Sequence, residues 1–458
     1  MRTANEIITK KDYSQRESSS WLDKDSPFWM KSLSIMFVAL LTFAGLGEWK
    51  TLNNALGGLP KIITAGIIAA TALYAIIYPA IKRLRSLRSP TLLYMSLMIA
   101  LLVWSMVIWI MDFATFSSVT RGFSKLMFQS ISILTAIAGV YLFGSRAVDL
   151  FALAMCMANG AIMVLEIPKF GLAASIQSLI TCFVTFGDAE GYARQLEIHD
   201  LTFVFGQLVL YYAAFAPTGT AQEKKRRWFF LLASFFFFLV GMKRIAIPAV
   251  MLFTCFAFLF RNRKHLKPLM LIMGFSFVAF FLLFIYAVKM GYASKLLNSV
   301  GIDMMGREYL WSLAGDYYDF SITYMGHGFE FVDSIVALWY NSGIINHPYP
   351  FHNDILKVFV ELGFPGFLIW SVLQYIVSPL FFLKYADDKT ALLYISELGY
   401  MTMTYLTDNT AFYFWSTMAL RIIVLSFAIA RHKPKEKQAW QPPTKAEIRE
   451  HIRIAMQD

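Results

Sequence analysis

The sequence predicts an all-α polytopic membrane protein with about twelve transmembrane helices and one large extracytoplasmic loop. Three observations carry this. First, 57% of the 458 residues are hydrophobic, only 16% are charged, and mean hydropathy is +0.54; soluble domains run roughly 45–50% apolar and about 25% charged. Second, the apolar residues fall in runs approaching the roughly 17–25 residues that cross a bilayer as a helix. Third, the basic residues are unevenly spread between those runs. An ordinary soluble enzyme is excluded, and disorder with it. The net charge of +11 would point to nucleic acid in a soluble protein. In a membrane protein it reflects basic cytoplasmic loops and anionic lipid, and no nucleic-acid partner is expected.

Taken in order, the runs place spans at 32–48, 62–81, 91–111, 123–143, 148–166, 198–216, 228–241, 245–260, 269–288, 366–383, 390–407 and 412–430. The stretch before the first, 1–31, is polar and mixed in charge, without the early apolar core and cleavage site of a signal peptide. The seventh and eighth are short because Lys243-Arg244 divides one apolar stretch from Trp228 to Phe260. The run 170–186 is apolar but short, with Pro168 and Gly171 marking its start, and reads as a re-entrant or interfacial helix in an outer loop. Cys156, Cys182 and Cys255 lie in apolar stretches and suit neither a disulfide framework nor a zinc site.

The charges orient this map. With the N-terminus inside, the inside segments hold 28 of the 41 Lys and Arg, and the outside segments 11. The clusters at 82–85, 224–227 and 261–264 all fall on one side, as the positive-inside rule requires. The chain is then one integral membrane domain, 1–458, with cytoplasmic tails 1–31 and 431–458. Residues 289–365 form the large outer loop. Loops beyond roughly 15 residues are usually functional or disordered, and Trp311, Trp339 and several Tyr and Phe in this one argue against disorder.

Candidate chemistry gathers at that outer side. Lys243 and Arg244, two adjacent cations at the lipid boundary, are costly unless they snorkel or meet an anion; they read as a hairpin turn or as an anion site. Arg307 and Trp311 share a helix face at i, i+4, though Arg307 also has Glu308 or Asp303 as ordinary partners. Gly326-His327-Gly328 lacks the ending of a nucleotide-binding loop and reads as a tight turn, with His327 positional. Asn353 or Asp354 suits an N-cap for the apolar stretch Ile355–Leu362, which Gly363, Pro365 and Gly366 end. That capping does not explain His352, whose pKa range suits proton transfer near neutrality. A metal site from His327, His347, His352, Asp333 and Asp354 matches no ligand spacing.

These pieces occur in a characteristic order: Lys243-Arg244 entering a span; Gly306, Arg307 and Trp311; Gly326 and Gly328, followed by Phe329 and Phe331; then His352, Asn353, Leu356, Glu361, Gly363, Pro365 and Gly366. Together they resemble the O-antigen ligase and O-antigen/exopolysaccharide polymerase superfamily, over residues 240–370 by motif and elsewhere through topology. The first motif departs from the Ser-Arg often found there. The resemblance implies a GT-C-type glycosyltransferase of the bacterial inner membrane, using undecaprenyl-diphosphate-linked oligosaccharide, membrane lipid and a chain-length regulator protein as partners, with no metal or cofactor. It implies that Arg244 and Arg307 hold the diphosphate and that His352 acts at the reacting centre, as base or as diphosphate binder. Lys243, Trp311, Asn353, Arg121, His199 and His327 are carried as substrate-binding candidates. Arg121 and Lys125 have interfacial snorkelling as their plain explanation, and Glu197–Asp200 has helix capping. Asp408-Asn409, in the last outer turn, also stands where it can face the site.

The function expected is a polysaccharide repeat-unit polymerase; transfer of glycan to lipid A-core, the ligase reaction, comes second. A transporter of lipid-linked sugars is third, because the polar residues gather in one outer loop rather than at a midplane between repeats.

Overall fold

The computed structural model describes residues 27–51, 57–112, 114–185, 190–299, 306–347 and 350–432. The two tails, apart from their innermost residues, lie outside them, as does Asp303. No strand occurs among the described residues. The helices are α1 (Phe28–Gly45), α2 (Leu59–Ile77), α3 (Ile81–Met111), α4 (Phe116–Phe143), α5 (Ala147–Phe170), α6 (Leu172–Thr185), α7 (Gly191–Leu196), α8 (His199–Ala214), α9 (Ala221–Val240), α10 (Ala246–Phe260), α11 (Lys267–Lys289), α12 (Tyr292–Ser299), α13 (Arg307–Ala314), α14 (Phe331–Asn341), α15 (Asp354–Val372), α16 (Ser378–Tyr385), α17 (Asp388–Tyr405) and α18 (Phe414–Arg431).

Local sequence sets many of these ends. Thr115 caps α4 by accepting from Ser118 N, and Gly144, at φ 59°, ends it. Thr220 and Glu223 form a capping box at the start of α9. Asp387 caps α17 through Thr390 N. Proline stands in the first turn of α2 and of α11, where its missing N–H costs nothing.

Each expected span corresponds to a helix. Among the described residues, seven helical runs are by themselves long and apolar enough to cross a membrane, and one of them, Phe116–Phe170, is α4 followed by α5. The expected spans outside those runs are α8, α9, α10 and α17. Two of these, at 16 and 15 residues, are short; α9 carries four consecutive basic residues in its first two turns; α17 carries the buried Glu397. Three of the four, α8, α10 and α17, pack on one another, and α9 packs against α8. α18 runs against α4, α5, α8 and α17, and nearly every residue of α8 and α18 is buried. The outward faces of α2, α9 and α11 instead expose Ile62, Leu73, Leu232, Phe235, Ile272 and Leu283. Apolar surface on this scale marks a lipid-facing boundary, and the molecule is an all-α polytopic membrane protein.

Two boundaries differ from the sequence map. Pro168 lies inside α5 rather than at the start of the following run; Gly171, at φ 80°, makes the break, and α6 spans Leu172–Thr185. The last part of the 289–365 segment is helical: α15 starts at Asp354, well before the apolar run at 366, and is broken at Gly363 (φ 65°). Hydropathy placed the span after that break, because Lys357 and Glu361 dilute the apolar signal of the first half. That half is buried inside the protein.

The segment that carries Gly326 and Gly328 is docked by backbone. Gly326 and Gly328 both have φ near 90°, with His327 between them. The amides of His327 and Gly328 donate to Glu361 O at 3.1 and 2.7 Å, and Phe364 N donates to Tyr324 O at 2.8 Å. A Cβ on Gly326 would overlap the backbone at Gly363, one on Gly363 would overlap Met325, and one on Gly328 would overlap the Trp109 ring. The paired glycines and the Gly-x-Pro-Gly are therefore two halves of one close contact. Beside it, buried Lys357 reaches Asp333 at 2.6 Å, Glu330 at 3.7 Å and Glu361 at 3.9 Å, tying α14 to α15.

Candidate active site

Polar residues from five separate places in the chain converge on Asp408, in the turn between α17 and α18. Its side chain is 6% exposed. Tyr413 Oη and Asn409 N donate to Oδ1 at 2.8 and 2.9 Å. His352 Nδ1 stands 3.7 Å from Oδ1, His199 Nδ1 is 3.7 Å from Oδ2, and Lys243 Nζ is 3.9 Å from Oδ2. Lys243 also reaches Glu197 at 2.7 Å and His199 Nε2 at 3.1 Å. Burial alone would raise the Asp408 carboxyl; the two imidazoles and Lys243 outweigh it and hold the group well below the usual carboxylate range. Glu197 is depressed in the same way, its own burial outweighed by Lys243. Burial lowers the half-buried Arg307 guanidinium, and the Asp408 carboxylate opposes this, which puts Arg307 within the field of the same cluster.

Local structure explains how His352 is presented. Asn353 caps α15, its Oδ1 accepting from Leu356 N at 2.9 Å while its Nδ2 donates to Leu406 O at 3.3 Å. Asp354 accepts from Ala411 N at 2.6 Å. These bonds pin the start of α15 to the Asp408 turn. His352 itself takes φ 52°, an uncommon conformation for a side-chain-bearing residue that persists when surrounding contacts enforce it. Trp311, buried on α13 with its ring edge-to-face on Phe284, donates from Nε1 to Phe351 O at 3.4 Å. The i, i+4 relation thus puts Arg307 on the same face of α13 as Trp311, which stands behind His352.

A cavity of about 420 Å³ opens beside the cluster, sharing Glu197, His199 and Tyr413 with it. Sites for small molecules usually measure about 300–1,000 Å³. Lys50, Lys61 and Lys125 also line it, with Phe128 and Phe412.

Of the residues expected from sequence, His352, His199 and Lys243 come together here, Arg307 feels the field of Asp408, and Trp311 and Asn353 form their support. Arg244 is exposed in the same turn as Lys243. Arg121 is exposed on α4. His327 lies elsewhere, with Nε2 2.8 Å from Tyr317 O, Nδ1 3.2 Å from Asp112 and its ring stacked on Phe331; both nitrogens serve the docked segment. The set weighed as metal ligands is dispersed: His327 is at Asp112, Asp333 on Lys357, Asp354 on Ala411 N, and His347 exposed. Among the described residues no three His, Cys, Asp or Glu side chains group as a metal site. Sequence reading missed Tyr413 and the cavity lysines Lys50 and Lys61. Their signal was slight, a lone polar residue at the edge of an apolar run in each case.

Residues 229–371 match the family model described as O-antigen ligase. The matched stretch runs from α9 into α15. It contains Lys243, Arg307, Trp311, His352 and the glycines of the dock, so the resemblance read from the motifs is to the same family, and ligase- or polymerase-type chemistry is supported for this segment. His199 and Asp408, which complete the cluster, lie outside it. The search of curated proteins found no match.

Proposed function

We propose that the protein is a glycosyltransferase that polymerises lipid-linked repeat units. A growing glycan on one undecaprenyl diphosphate is transferred to the nonreducing end of another lipid-linked unit, at the outer face of the inner membrane. The observation that carries the reading is the convergence on Asp408 of two imidazoles, an ammonium and, in its field, a guanidinium, beside a cavity of substrate size. In the reaction the acceptor hydroxyl oxygen bonds to the anomeric carbon, the bond from that carbon to the diphosphate breaks, and the diphosphate leaves with the electron pair. Arg307 and Lys243, with Arg244 in the same turn, supply fixed positive charge for the leaving group. The hydroxyl proton passes to His352. Asp408, facing Nδ1 of that ring, stabilises the imidazolium that forms, which leaves Nε2 for the hydroxyl.

The knot at Glu197–His199 joins the cluster directly, which favours a site shaped for a lipid-linked sugar acceptor. The description of the matched family favours the second reading, transfer to lipid A-core. Glycan chain length in a deletion strain separates them. Loss of a polymerase leaves single repeat units on the acceptor, whereas loss of a ligase leaves long glycan on the carrier lipid. Complementation with Arg307→Ala is expected to reproduce the deletion; full rescue by that variant would overturn the assignment.

A further inference from the structure

The cavity beside the cluster is lined by a lysine, Lys61, that no close ion pair among the described residues neutralises. Lys61 stands in the first turn of α2, directly after Pro60, with no acidic residue in that turn. A helix N-terminus is the positive end of the macrodipole and disfavours a cation. Lys125 and Lys50 line the same cavity and add to that repulsion. Both are occupied: Lys125 pairs with Glu330 at 3.1 Å, and Lys50 donates to Arg194 O at 2.6 Å. Lys61 lies 4.0 Å over the Phe128 ring, and among the described residues no ion pair joins it to a carboxylate.

The nearby carboxylates are bonded elsewhere. Asp200 accepts from Trp415 N, Ser416 N and Ser416 Oγ; Glu197 holds Lys243; Glu48 accepts from Trp415 Nε1 and attracts Lys61 only across the cavity, without an ion pair at bonding distance. Aromatic side chains, Phe128, Phe412 and Tyr413, complete the wall. Aromatic faces with hydrogen-bonding polar groups and a spare ammonium suit a sugar ring that carries negative charge, rather than a bare diphosphate or a lipid tail.

We propose that this cavity receives an anionic sugar of the acceptor glycan, its carboxylate or phosphate substituent held by Lys61, with the sugar delivered next to His199 and the Asp408 cluster. The acceptor role rests on the transfer reading above; the charge preference of the cavity does not.

The test is saturation-transfer NMR on the purified full chain in nanodiscs, with methyl glucuronide, methyl glucoside 6-phosphate and methyl glucoside as probes. A charged probe is expected to give a clear signal, at least tenfold above neutral methyl glucoside. The stronger of the two charged probes identifies the substituent as carboxylate or phosphate. Lys61→Gln should abolish the difference, while Lys61→Arg, which keeps the charge, should retain it and so shows that the site still folds. Equal signals from charged and neutral probes, no signal from any probe, or a charge preference that survives Lys61→Gln would each overturn the proposal. Arg307→Ala should remove transfer and leave the probe signal intact. A missing probe signal with transfer preserved therefore defeats this inference alone, and transfer surviving Arg307→Ala defeats the functional reading alone.

Discussion

The Asp408 cluster and the Gly326–Gly363 dock both draw on motifs of the matched stretch, yet they use their residues in opposite ways. In the dock, backbone meets backbone. Glycines at positive φ let two segments approach until a single Cβ would overlap, and carbonyls such as Glu361 O are satisfied by two amides. In the cluster, side chains meet at ion-pair distances of 3.7–3.9 Å around one carboxylate, and the group opens to a cavity. The difference teaches that a glycine-rich motif in this chain is architecture, although the same residue types elsewhere cradle phosphate. The chemistry sits where both imidazoles stand 3.7 Å from a shared carboxylate rather than in a closed bond to it.

Substitutions should divide along that line. The largest loss of activity is expected for His352→Ala and Arg307→Ala, about 10²–10³-fold in transfer rate, the scale for removing a group that acts on the reacting centre. Their melting temperatures should stay close to that of the parent. Gly363→Ala should instead fail in stability, because overpacking and a strained φ together cost about 2–6 kcal/mol. Thermal unfolding in detergent should show a lowered midpoint, with activity falling only in proportion to the folded fraction. His327→Ala should lie between these: losing the bonds to Tyr317 and Asp112 costs about 1–3 kcal/mol, and transfer should weaken less than tenfold. If His327→Ala matched His352→Ala in lost activity at unchanged stability, the division would be wrong. Arg121→Ala, exposed on α4, should change transfer by less than about twofold, the size of an exposed charge effect.

The dock also has a pH signature. Burial would raise the Asp333 carboxyl, but Lys357 holds it down at about 2. A group depressed in the fold contributes stability that is present above its unfolded pKa, about 3.9 for Asp, and lost as pH falls through the folded value. Protease protection of α14 should therefore hold at pH 5 and decline between about pH 4 and 2. Protection that instead fell on raising pH would contradict the Asp333–Lys357 tie.

How much of this was legible beforehand follows from what hydropathy measures. It registers runs of apolar side chains, so α1 to α5, α11 and α18 stood out. Helices surrounded by other helices, such as α8 and α17, tolerate Asp200, Gln207 and Glu397 in their interiors and look weaker than they are. The first half of α15 was readable as a capped helix but not as part of a span, since Lys357, neutralised by Asp333 on α14, dilutes any local window. The cap at Asn353 and the break at Gly363 were readable, because both depend on adjacent residues. The convergence on Asp408 was only partly readable: Asp408 was marked as able to face the site, but its partners lie 56 to 209 positions before it, at His352, Lys243 and His199, or just after it at Tyr413. Only packing brings them together.

The most direct test of the account is lipid-linked glycan transfer by the purified full chain in nanodiscs, measured for Arg307→Ala and His352→Ala alongside their melting temperatures. The account predicts transfer reduced by about 10²–10³-fold in proteins whose unfolding midpoints match the parent. Transfer retained at the parent rate by either folded variant would contradict the claim that the Asp408 cluster is the reaction centre.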